Sequence, residues 1–331
     1  MFGNKDKAIK RDLPGATAGS VGQSYDANAI LQTLAVDYMH DKKAMRRWKI
    51  AFYIFLLLYL FSLYMLSASD STASLAASQP HTAVVQLSGI IGTGSGVSAN
   101  QVNTSLRKAF EADNSKGVIF EINSPGGSPV QSADINTEIL RLKEEYPEKP
   151  LMVVMSDVAA SGGYFVAASA DKIFANRSSI VGSIGVRMDS FGFVDAMERY
   201  GIERRSITAG ENKSILDPFL PINPAQKKHA EKMLGQVHQH FIEVVKNGRG
   251  DKLSNNPDLF SGLFWSGEEA KRLGLIDDFG NTDSVARNEI GYEDTVNYTY
   301  RPGWLEEFSR DFGVSIGAGI ATVFNGQFQI Q

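Results

Sequence analysis

The apolar positions of this 331-residue chain follow two patterns. Near the N-terminus they form one long run, whereas from about residue 82 short apolar runs alternate with stretches of helical periodicity. The predicted strands are Ala83–Ile91, Gly117–Ile122, Leu151–Met155 and the pair Leu275-Ile276, and the predicted helices are Val102–Ala112, Pro129–Tyr146, Ser161–Ala170, Pro224–Asn247 and Ser266–Leu273. Strands and helices that alternate at this spacing are typical of stacked βαβ units, so residues 82–300 are predicted to form one α/β domain.

The long apolar run predicts a transmembrane anchor at residues 49–69. No charged residue occurs between Lys49 and Asp70, and Ile50–Leu66 is almost entirely apolar. About 20 helical residues span about 30 Å, which is the thickness of the hydrocarbon core of a bilayer. A buried core helix is the alternative, but the length of the run and the unequal charge of its flanks favour a membrane span.

The charge of the flanks predicts the orientation of this anchor. Five basic residues lie just before it, namely Lys42, Lys43, Arg46, Arg47 and Lys49, and no further Lys or Arg occurs until Arg107. The positive-inside rule therefore predicts that residues 1–48 are cytoplasmic and that the α/β domain lies on the outer side of a bacterial inner membrane. Ser67-Ala68-Ser69 resembles a signal-peptide cleavage site, but the long region before the run favours an uncleaved anchor.

Three segments outside the anchor and the domain have less informative patterns. Residues 1–48 are polar and are predicted to be flexible, with a short helix near Ala27–Met39. The Ser/Ala-rich residues 70–81 are predicted to be a linker. The tail, residues 301–331, has helical spacing at its start and an apolar end that is too short to span a membrane. The tail could pack on the domain, on a partner subunit or on the membrane surface.

Composition excludes several classes of function. The net charge of −4 and the pI of about 5.8 give no basic face for nucleic acid. The chain has no cysteine, which excludes disulfides, thiolate catalysis and cysteine-ligated zinc. Of the five histidines, His238 and His240 would point to different faces of a helix, and no HExxH pattern occurs. We therefore expect neither a metal nor a cofactor.

Candidate chemistry is concentrated in glycine-rich turns that follow predicted strands. Ser124-Pro125-Gly126-Gly127 lies between a strand and a helix, and adjacent glycines can present backbone N–H groups to an oxyanion. Ser161 also follows a strand and begins a helix, with Gly162 and Gly163 directly after it. Taken alone, each pattern fits the ordinary alternative better, namely a strand-to-helix turn for Ser124–Gly127 and an N-cap serine for Ser161.

Lys213 and Ser183 complete the set of candidate catalytic residues. Lys213 lies in the glycine-bounded turn Gly210–Ser214, and a lysine can act as a base only where burial or hydrogen bonding disfavours its charged form. Ser183 in the turn Gly182–Val186 could orient a neutral amine, as the third member of a triad orients its base. A surface lysine and a loop serine remain the alternatives when each residue is considered alone.

Together these turns resemble a known family, the signal peptide peptidase SppA family of membrane-anchored serine peptidases. The resemblance covers about residues 83–285. It rests on five motifs: Ile122–Gly127 (INSPGG), Val158–Tyr164 (VAASGGY), Ala170–Ala175 (ADKIFA), Val181–Val186 (VGSIGV) and Gly210–Ser214 (GENKS).

The resemblance implies a fold and a role for each candidate residue. Ser161 would be the nucleophile, Lys213 the general base and Ser183 the residue that orients the base. The backbone N–H groups of Gly127 and Gly162 would form the oxyanion hole. The fold would be similar to that of Clp protease and the crotonases. Family members assemble into rings, so the chain is expected to be a homo-oligomer in which a groove can borrow residues from a neighbouring subunit.

The implied function is an endopeptidase that hydrolyses cleaved signal peptides and other hydrophobic peptides next to the bilayer. A peptidase dedicated to a stomatin-like membrane partner and a non-catalytic crotonase-like scaffold are the alternatives. An acyl-CoA enzyme is disfavoured by the predicted external location of the domain. The run Gly92–Gly96 is predicted to be a loop, because Val97 stands where the third glycine of a dinucleotide-binding motif would be.

Overall fold

The computed structural model describes residues 42, 45–62, 77–94 and 96–301. The chain divides into two compact units, Met1–Ser69 and Asp70–Gln331. In the first unit, residues 45–62 form helix α1. The rest of the predicted anchor, residues 63–69, lies outside the described residues, as do the predicted helix near Ala27–Met39 and residues 302–331 of the predicted tail. Within the part of the chain that is described, no helix is both long and apolar enough to cross a membrane.

The second unit is an eight-stranded sheet with helices between its strands. The strands are β1 (His81–Ser88), β2 (Ser115–Ser124), β3 (Leu151–Ala160), β4 (Lys172–Ala175), β5 (Ile180–Gly182), β6 (Phe264–Ser266), β7 (Asp278–Phe279) and β8 (Thr295–Asn297). The helices are α2 (Ala99–Glu111), α3 (Pro129–Glu145), α4 (Gly162–Ala167), α5 (Val194–Arg199), α6 (Pro224–Arg249), α7 (Gly267–Arg272) and α8 (Thr282–Val285).

The sheet has the order β6-β5-β3-β2-β1-β8, and β4 joins β3 to β7. All of these pairings are parallel except the one between β5 and β6. The run β1-α2-β2-α3-β3 therefore consists of two βαβ units, which confirms the predicted α/β class. In such sheets, ligands bind outside the carboxyl ends of the strands.

The central strands are buried on both faces, as expected for a parallel sheet. Alternate residues point to opposite sides, because the side-chain period of a strand is two. On one side, Val85, Phe120 and Val153 pack in a large core with α2, α3, α4 and α6. On the other side, Ile119 and Val154 belong to a smaller cluster with α8.

Several predicted element boundaries are wrong. The strand expected at Leu151–Met155 extends to Ala160. The helix expected at Ser161–Ala170 contains only Gly162–Ala167. The pair Leu275-Ile276 is a buried connection, and the short strand lies just after it at Asp278–Phe279. Two adjacent apolar residues indicate that a segment is buried, but they do not distinguish a strand from a buried loop.

The segment 186–223, here called the arm, differs from the rest of the unit. Its helix α5 has no buried residue, and residues 202–208 have no regular secondary structure. Several large apolar side chains of the arm are exposed, including Phe191, Tyr200, Ile202, Ile207 and Ile222. Contacts within the arm include stacked rings of Phe193 and Phe219, with centroids 5.4 Å apart.

Candidate active site

Ser161 lies at the carboxyl end of β3, where the chain turns into α4. Its backbone has φ 52° and ψ −122°, a region that L-residues other than glycine rarely adopt. The position is fixed by a 2.8 Å hydrogen bond from the Ser161 N–H to the carbonyl of Gly182. Although Ser161 occupies the N-cap position, its side chain makes no capping hydrogen bond. The ordinary capping role considered for this serine is therefore not what the structure contains, and a strained backbone of this kind is typical of functional sites.

A bulge in β3 sets the position of this turn. Ile122 of β2 pairs with Met155, but Ser124 pairs with Ala159, so β3 carries the extra residues 156–158 opposite Asn123. The Asn123 side chain fills this irregularity, because its Oδ1 accepts from the Val158 N–H at 3.2 Å and its Nδ2 donates to Asp157 at 3.0 Å. Because of the bulge, the ends of β2 and β3 lie side by side, and so do the two glycine turns that follow them.

The two glycine turns approach so closely that side chains would not fit between them. A Cβ on Gly126 would lie 2.6 Å from the nitrogen of Gly162 and 2.8 Å from Cβ of Ser161. A Cβ on Gly162 would lie 2.5 Å from Oγ of Ser132 and 3.2 Å from the nitrogen of Gly127. The sequence therefore needs glycine here to pack the two turns against each other.

The direction of the Gly127 N–H follows from its pairing with Ile91. Ile91 donates to the carbonyl of Gly126 at 2.9 Å and accepts from the Ser128 N–H at 2.8 Å. In a parallel bridge of this type, the polar groups of the intervening residue point away from the partner strand. The Gly127 N–H therefore points away from Ile91, on the side where Gly127 and Gly162 approach each other.

Ser183 is the second strained serine, with φ 53°. Its N–H donates to the carbonyl of Leu263 at 2.8 Å. From α6, Nε2 of His238 is 3.1 Å from the carbonyl oxygen of Ile184, which is consistent with a hydrogen bond from the imidazole N–H. Besides the serines, only Leu216 among the described non-glycine residues has a positive φ.

Four of the five predicted site residues line one cleft of about 810 Å³. They are Ser161, Ser183, Gly127 and Gly162. Much of the remaining wall is apolar, with Phe165 and Phe241 on one side and Phe264 at the sheet edge. The structure therefore assembles a nucleophile candidate, two neighbouring backbone amides and a wall for apolar side chains in one place.

Lys213 is the predicted residue that the single chain does not bring to this cleft. It lies in an exposed turn of the arm, where its N–H donates to the carbonyl of Gly210 at 3.1 Å. It is not among the residues that line the cleft around Ser161. Its predicted role as the base stays a prediction.

Sequence reasoning missed two titratable residues of the cleft, Arg187 and His240. The ring of His240 meets Phe165 edge-on, with centroids 5.5 Å apart. Arg187 comes directly after the turn Gly182–Val186, and this proximity in sequence was the available signal. For His240, helix periodicity predicts that it leaves the face of His238, but it does not predict what α6 packs against.

A buried ion pair between Arg249 and Asp277 lies near Tyr164 of α4. The side chain of Arg249 is 1% exposed, and its Nη1 lies 2.8 Å from Oδ2 of Asp277. Burial alone raises the pKa of Asp277, but hydrogen bonds from Arg249, from Lys252 and from the Ile173 N–H outweigh this effect and hold the pKa at about 2, below its ordinary 3.8. The hydroxyl of the fully buried Tyr164 donates to the carbonyl of Leu275 at 2.8 Å, and burial raises the pKa of this hydroxyl.

Known proteins share much of this domain. A sequence model of peptidase family S49 matches residues 143–290. The chain is 34% identical over 224 residues to the provisionally named protease MJ0651 of Methanocaldococcus jannaschii, and the match covers 66% of the chain and 71% of that protein. It is 32% identical over 179 residues to Protease 4 of Haemophilus influenzae, which covers 53% of the chain and 28% of that protein.

The third similarity is to part of a protein that is named as an antiporter and not as a protease. The chain is 48% identical over 186 residues to the Na(+)/H(+) antiporter NhaA of Brucella abortus, a match that covers 56% of the chain and 25% of the antiporter. The chain thus spans only about a quarter of that relative. The fold, the cleft and the extent of the archaeal match together define a peptidase-type domain, and the chain belongs to peptidase family S49, the signal peptide peptidase SppA family.

Proposed function

We propose that the chain is a membrane-anchored serine endopeptidase that hydrolyses cleaved signal peptides and other hydrophobic peptides through an acyl-enzyme. The observation that carries the proposal is the state of Ser161. Its backbone is strained, its side chain makes no capping bond, and it faces a cleft with apolar walls next to the Gly127 and Gly162 amides. Strain and an unused hydroxyl have a cost to the fold that an ordinary turn would avoid.

In the first step, Oγ of Ser161 attacks the carbonyl carbon of the scissile peptide bond while the base takes the hydroxyl proton. The carbonyl oxygen becomes an oxyanion, which the N–H groups of Gly127 and Gly162 stabilise. The C–N bond then breaks, the base returns the proton to the leaving amine, and Ser161 holds the acyl group as an ester. Water attacks this ester with help from the same base, which releases the carboxylate product and restores Ser161.

Lys213 is the proposed base, and Ser183 is proposed to orient its amine. A lysine becomes a base when its surroundings desolvate the ammonium group. In the single chain Lys213 is exposed, so the proposal requires the arm to be covered in the working enzyme. Supply of Lys213 within one chain and supply from a neighbouring chain are both compatible with the mechanism.

A homo-oligomeric ring is proposed as the state in which the arm becomes covered. The arm exposes large apolar side chains beyond what a monomer usually leaves in water; Ile207 is fully exposed and Tyr200 is 77% exposed. An arm buried against a second copy of the chain would remove this apolar surface from water. The same contact would exclude water from Lys213.

The proposed location is a bacterial inner membrane, with residues 1–48 cytoplasmic, residues 50–69 in the bilayer and the peptidase domain on the outer side. It is supported by the apolar run and by the basic residues that precede it. A hydrophobic peptide released next to the bilayer would then meet the cleft directly. The finer fold assignment, a Clp protease/crotonase-like domain, is supported by the parallel sheet with its βαβ units.

His240 is the competing candidate for the base, since it lines the same cleft as Ser161. A histidine mechanism would not need the arm. The substitution His240→Gln therefore separates the two mechanisms. We expect this variant to hydrolyse an uncharged, amidated peptide at close to the wild-type rate, whereas Lys213→Ala is expected to lose this activity.

Covalent labelling tests the nucleophile. The full-length chain in detergent micelles is treated with a serine-reactive fluorophosphonate, and the adduct is mapped by peptide mass spectrometry. We expect the adduct on Ser161, and no adduct in the Ser161→Ala variant. The Ser190→Ala variant is the matched control, because Ser190 is an exposed serine of the arm. Unchanged labelling and unchanged peptide hydrolysis in Ser161→Ala would contradict the proposed mechanism.

A further inference from the structure

The Ser161 cleft is lined by no acidic side chain among the described residues. Among the described residues that line the cleft, Arg187 and His240 are the only titratable ones, and no carboxylate lines it. The chain as a whole has a net charge of −4, so an acid-free cleft does not reflect an overall excess of basic residues.

A second cleft provides an internal comparison. It has about 830 Å³, lies beside the bulge of β3 and the carboxyl end of β4, and is lined by residues of both signs, including Glu121, Asp157 and Arg177. The two clefts have similar volumes, yet only the one that contains Ser161 lacks acidic residues. The absence of acidic residues is therefore a property of that cleft and not of clefts in this domain generally.

The geometry of Arg187 leaves it available for a ligand. Its side chain is 88% exposed, and its Nε lies 3.4 Å from Oδ2 of Asp189, which is itself 69% exposed. An ion pair so exposed to water holds its partners weakly. A guanidinium can therefore exchange this partner for another carboxylate, which it can bind through two parallel hydrogen bonds.

His240 lies on the apolar side of the same cleft, close to the nucleophile. The ring of His240 packs against Phe165, and the Phe165 N–H donates to the carbonyl of Ser161 at 2.9 Å. One turn of α4 thus links the imidazole to the residue proposed to attack the substrate. An imidazole N–H at this position would add a hydrogen-bond donor to an otherwise apolar wall.

We infer that the Ser161 cleft selects peptides that carry a carboxylate beside their apolar side chains, with Arg187 as the main specificity-determining residue and His240 in support. This inference rests on the proposed peptidase function. A carboxylate enters an apolar cleft at acceptable cost only if it is paired there, and the cleft offers the guanidinium of Arg187 as a cationic partner and the imidazole of His240 as a hydrogen-bond donor. The carboxylate can be the C-terminus of a short peptide, such as one left by an earlier peptide-bond hydrolysis, or the side chain of an Asp or Glu.

Binding to a hydrolytically inactive parent tests this selection. The parent is the full-length Ser161→Ala chain in detergent micelles, and the probes are four fluorescent peptides with one apolar sequence. They combine a free or amidated C-terminus with an internal Glu or Gln, and Kd is measured by fluorescence anisotropy. We expect a peptide with the selected carboxylate to bind about threefold more tightly than its neutral counterpart, as an exposed ion pair provides.

Substitutions in the same parent identify the residue responsible. Arg187→Gln should remove most of this preference without weakening the binding of the neutral peptide, and Arg187→Lys should retain part of it. Arg205→Gln is the matched control, because Arg205 is an exposed arm residue that pairs with Glu203 and does not line the cleft. This control should keep the full preference.

The outcomes separate the two sources of the carboxylate and the two proposals. Preference for the free C-terminus identifies the terminal carboxylate, and preference for Glu over Gln identifies the side chain; either supports the inference. Equal binding of all four peptides, no binding of any of them, or a preference that Arg187→Gln leaves intact would overturn it. The Ser161→Ala parent binds peptides without hydrolysing them, so a binding preference would support the inference even if Ser161 is not the nucleophile. Wild-type hydrolysis of all four peptides without any preference would overturn the inference but leave the proposed peptidase function intact.

Discussion

The turn that holds Ser161 and the arm that holds Lys213 have opposite physical characters. Around Ser161, two glycine turns pack at distances that exclude a side chain, and the surrounding strands and helices are buried. Around Lys213, side chains are exposed, and the helix of the arm has no buried residue. A single chain thus holds the proposed nucleophile and the proposed oxyanion donors in a packed region but leaves the proposed base exposed on the arm.

This difference indicates how the proposed activity could depend on assembly. The fold already fixes the strained backbone of Ser161, so little further conformational entropy is lost there when a substrate binds. An exposed lysine is hydrated and charged, and it cannot serve as a base until a contact desolvates it. The following predictions compare the two regions, in order of decreasing effect.

The largest effect is expected from the candidate dyad itself. Lys213→Ala should lower kcat/KM for a hydrophobic peptide by about 10³-fold or more, and the double variant with Ser161→Ala should be no worse than Ser161→Ala alone, because members of a catalytic unit are not additive. Steady-state kinetics on purified full-length protein provide the measurement. Lys228→Ala, an exposed lysine of α6, is the control that should remain active. A Lys213→Ala variant with wild-type kcat/KM would exclude this residue as the base.

A methyl group added to the packed turn should also impair activity strongly. In Gly162→Ala the new Cβ would meet Oγ of Ser132 at 2.5 Å and the Gly127 nitrogen at 3.2 Å, so the two amides would have to move apart. Loss of one oxyanion donor typically costs about 10²- to 10³-fold in kcat, and we expect a loss in this range.

The matched control for this variant is in the arm. A Cβ on Gly192 would meet nothing within 4 Å, so Gly192→Ala should change neither kcat nor Tm. Equal behaviour of the two alanine variants would show that the close packing of the glycine turns has no role in catalysis.

Stability should be concentrated in the body of the domain. Asp277→Asn leaves the buried Arg249 without a full counter-charge, and breaking such a pair costs about 3 kcal/mol. Thermal unfolding should show a fall in Tm of roughly 10 °C for a domain of this size. Glu203→Gln breaks the exposed arm pair with Arg205 and should shift Tm by less than about 2 °C. Equal shifts for the two variants would contradict the division into a packed body and a weakly held arm.

The smallest effect is a pH dependence of stability from the same carboxylate. The pKa of Asp277 is about 2 in the folded chain, below its ordinary 3.8. The contribution of the Asp277 carboxylate to the free energy of unfolding is therefore fully present above about pH 4 and is lost as the pH falls from there through about 2. We expect this contribution to be about 1 to 2 kcal/mol. Urea unfolding between pH 5 and pH 2 should show that the difference in the free energy of unfolding between the wild type and Asp277→Asn becomes smaller as the pH falls. A gap that stays constant over this range would refute the assignment.

The sequence predicts the framework of the site better than its details. The alternation from β1 to α4, the turn after β2 and the position of Ser161 between a strand and a helix follow from apolar periodicity and glycine placement. The short strands β4, β5, β6 and β8 were not predicted, because three or four residues are too few to show a period. The bulge in β3 was not predictable, because extra residues in one strand do not alter its apolar pattern. The strain at Ser161 and Ser183 was not predictable either, since it depends on hydrogen bonds from their N–H groups to the carbonyls of Gly182 and Leu263, which lie in distant segments.

The arm shows a different limit of sequence reasoning. The resemblance to a peptidase family supplied Lys213 as a candidate base, but composition around Lys213 does not say whether it is buried. Arg187 and His240 were missed because their importance comes from sharing one cleft, and the packing of α6 on α4 brings His240 there.

The most direct test of the central claim asks whether residues 161 and 213 meet in the working protein. The chain has no cysteine, so the double variant Ser161→Cys/Lys213→Cys carries only the two engineered thiols. After mild oxidation in detergent micelles, we expect a disulfide, which requires Cα atoms within about 7 Å. A cross-linked dimer or ladder on a non-reducing gel would show contact between chains, and loss of free thiols in a monomer would show contact within one chain. Two thiols that stay free, as expected for the control pair Ser161→Cys/Arg205→Cys, would contradict the proposed dyad.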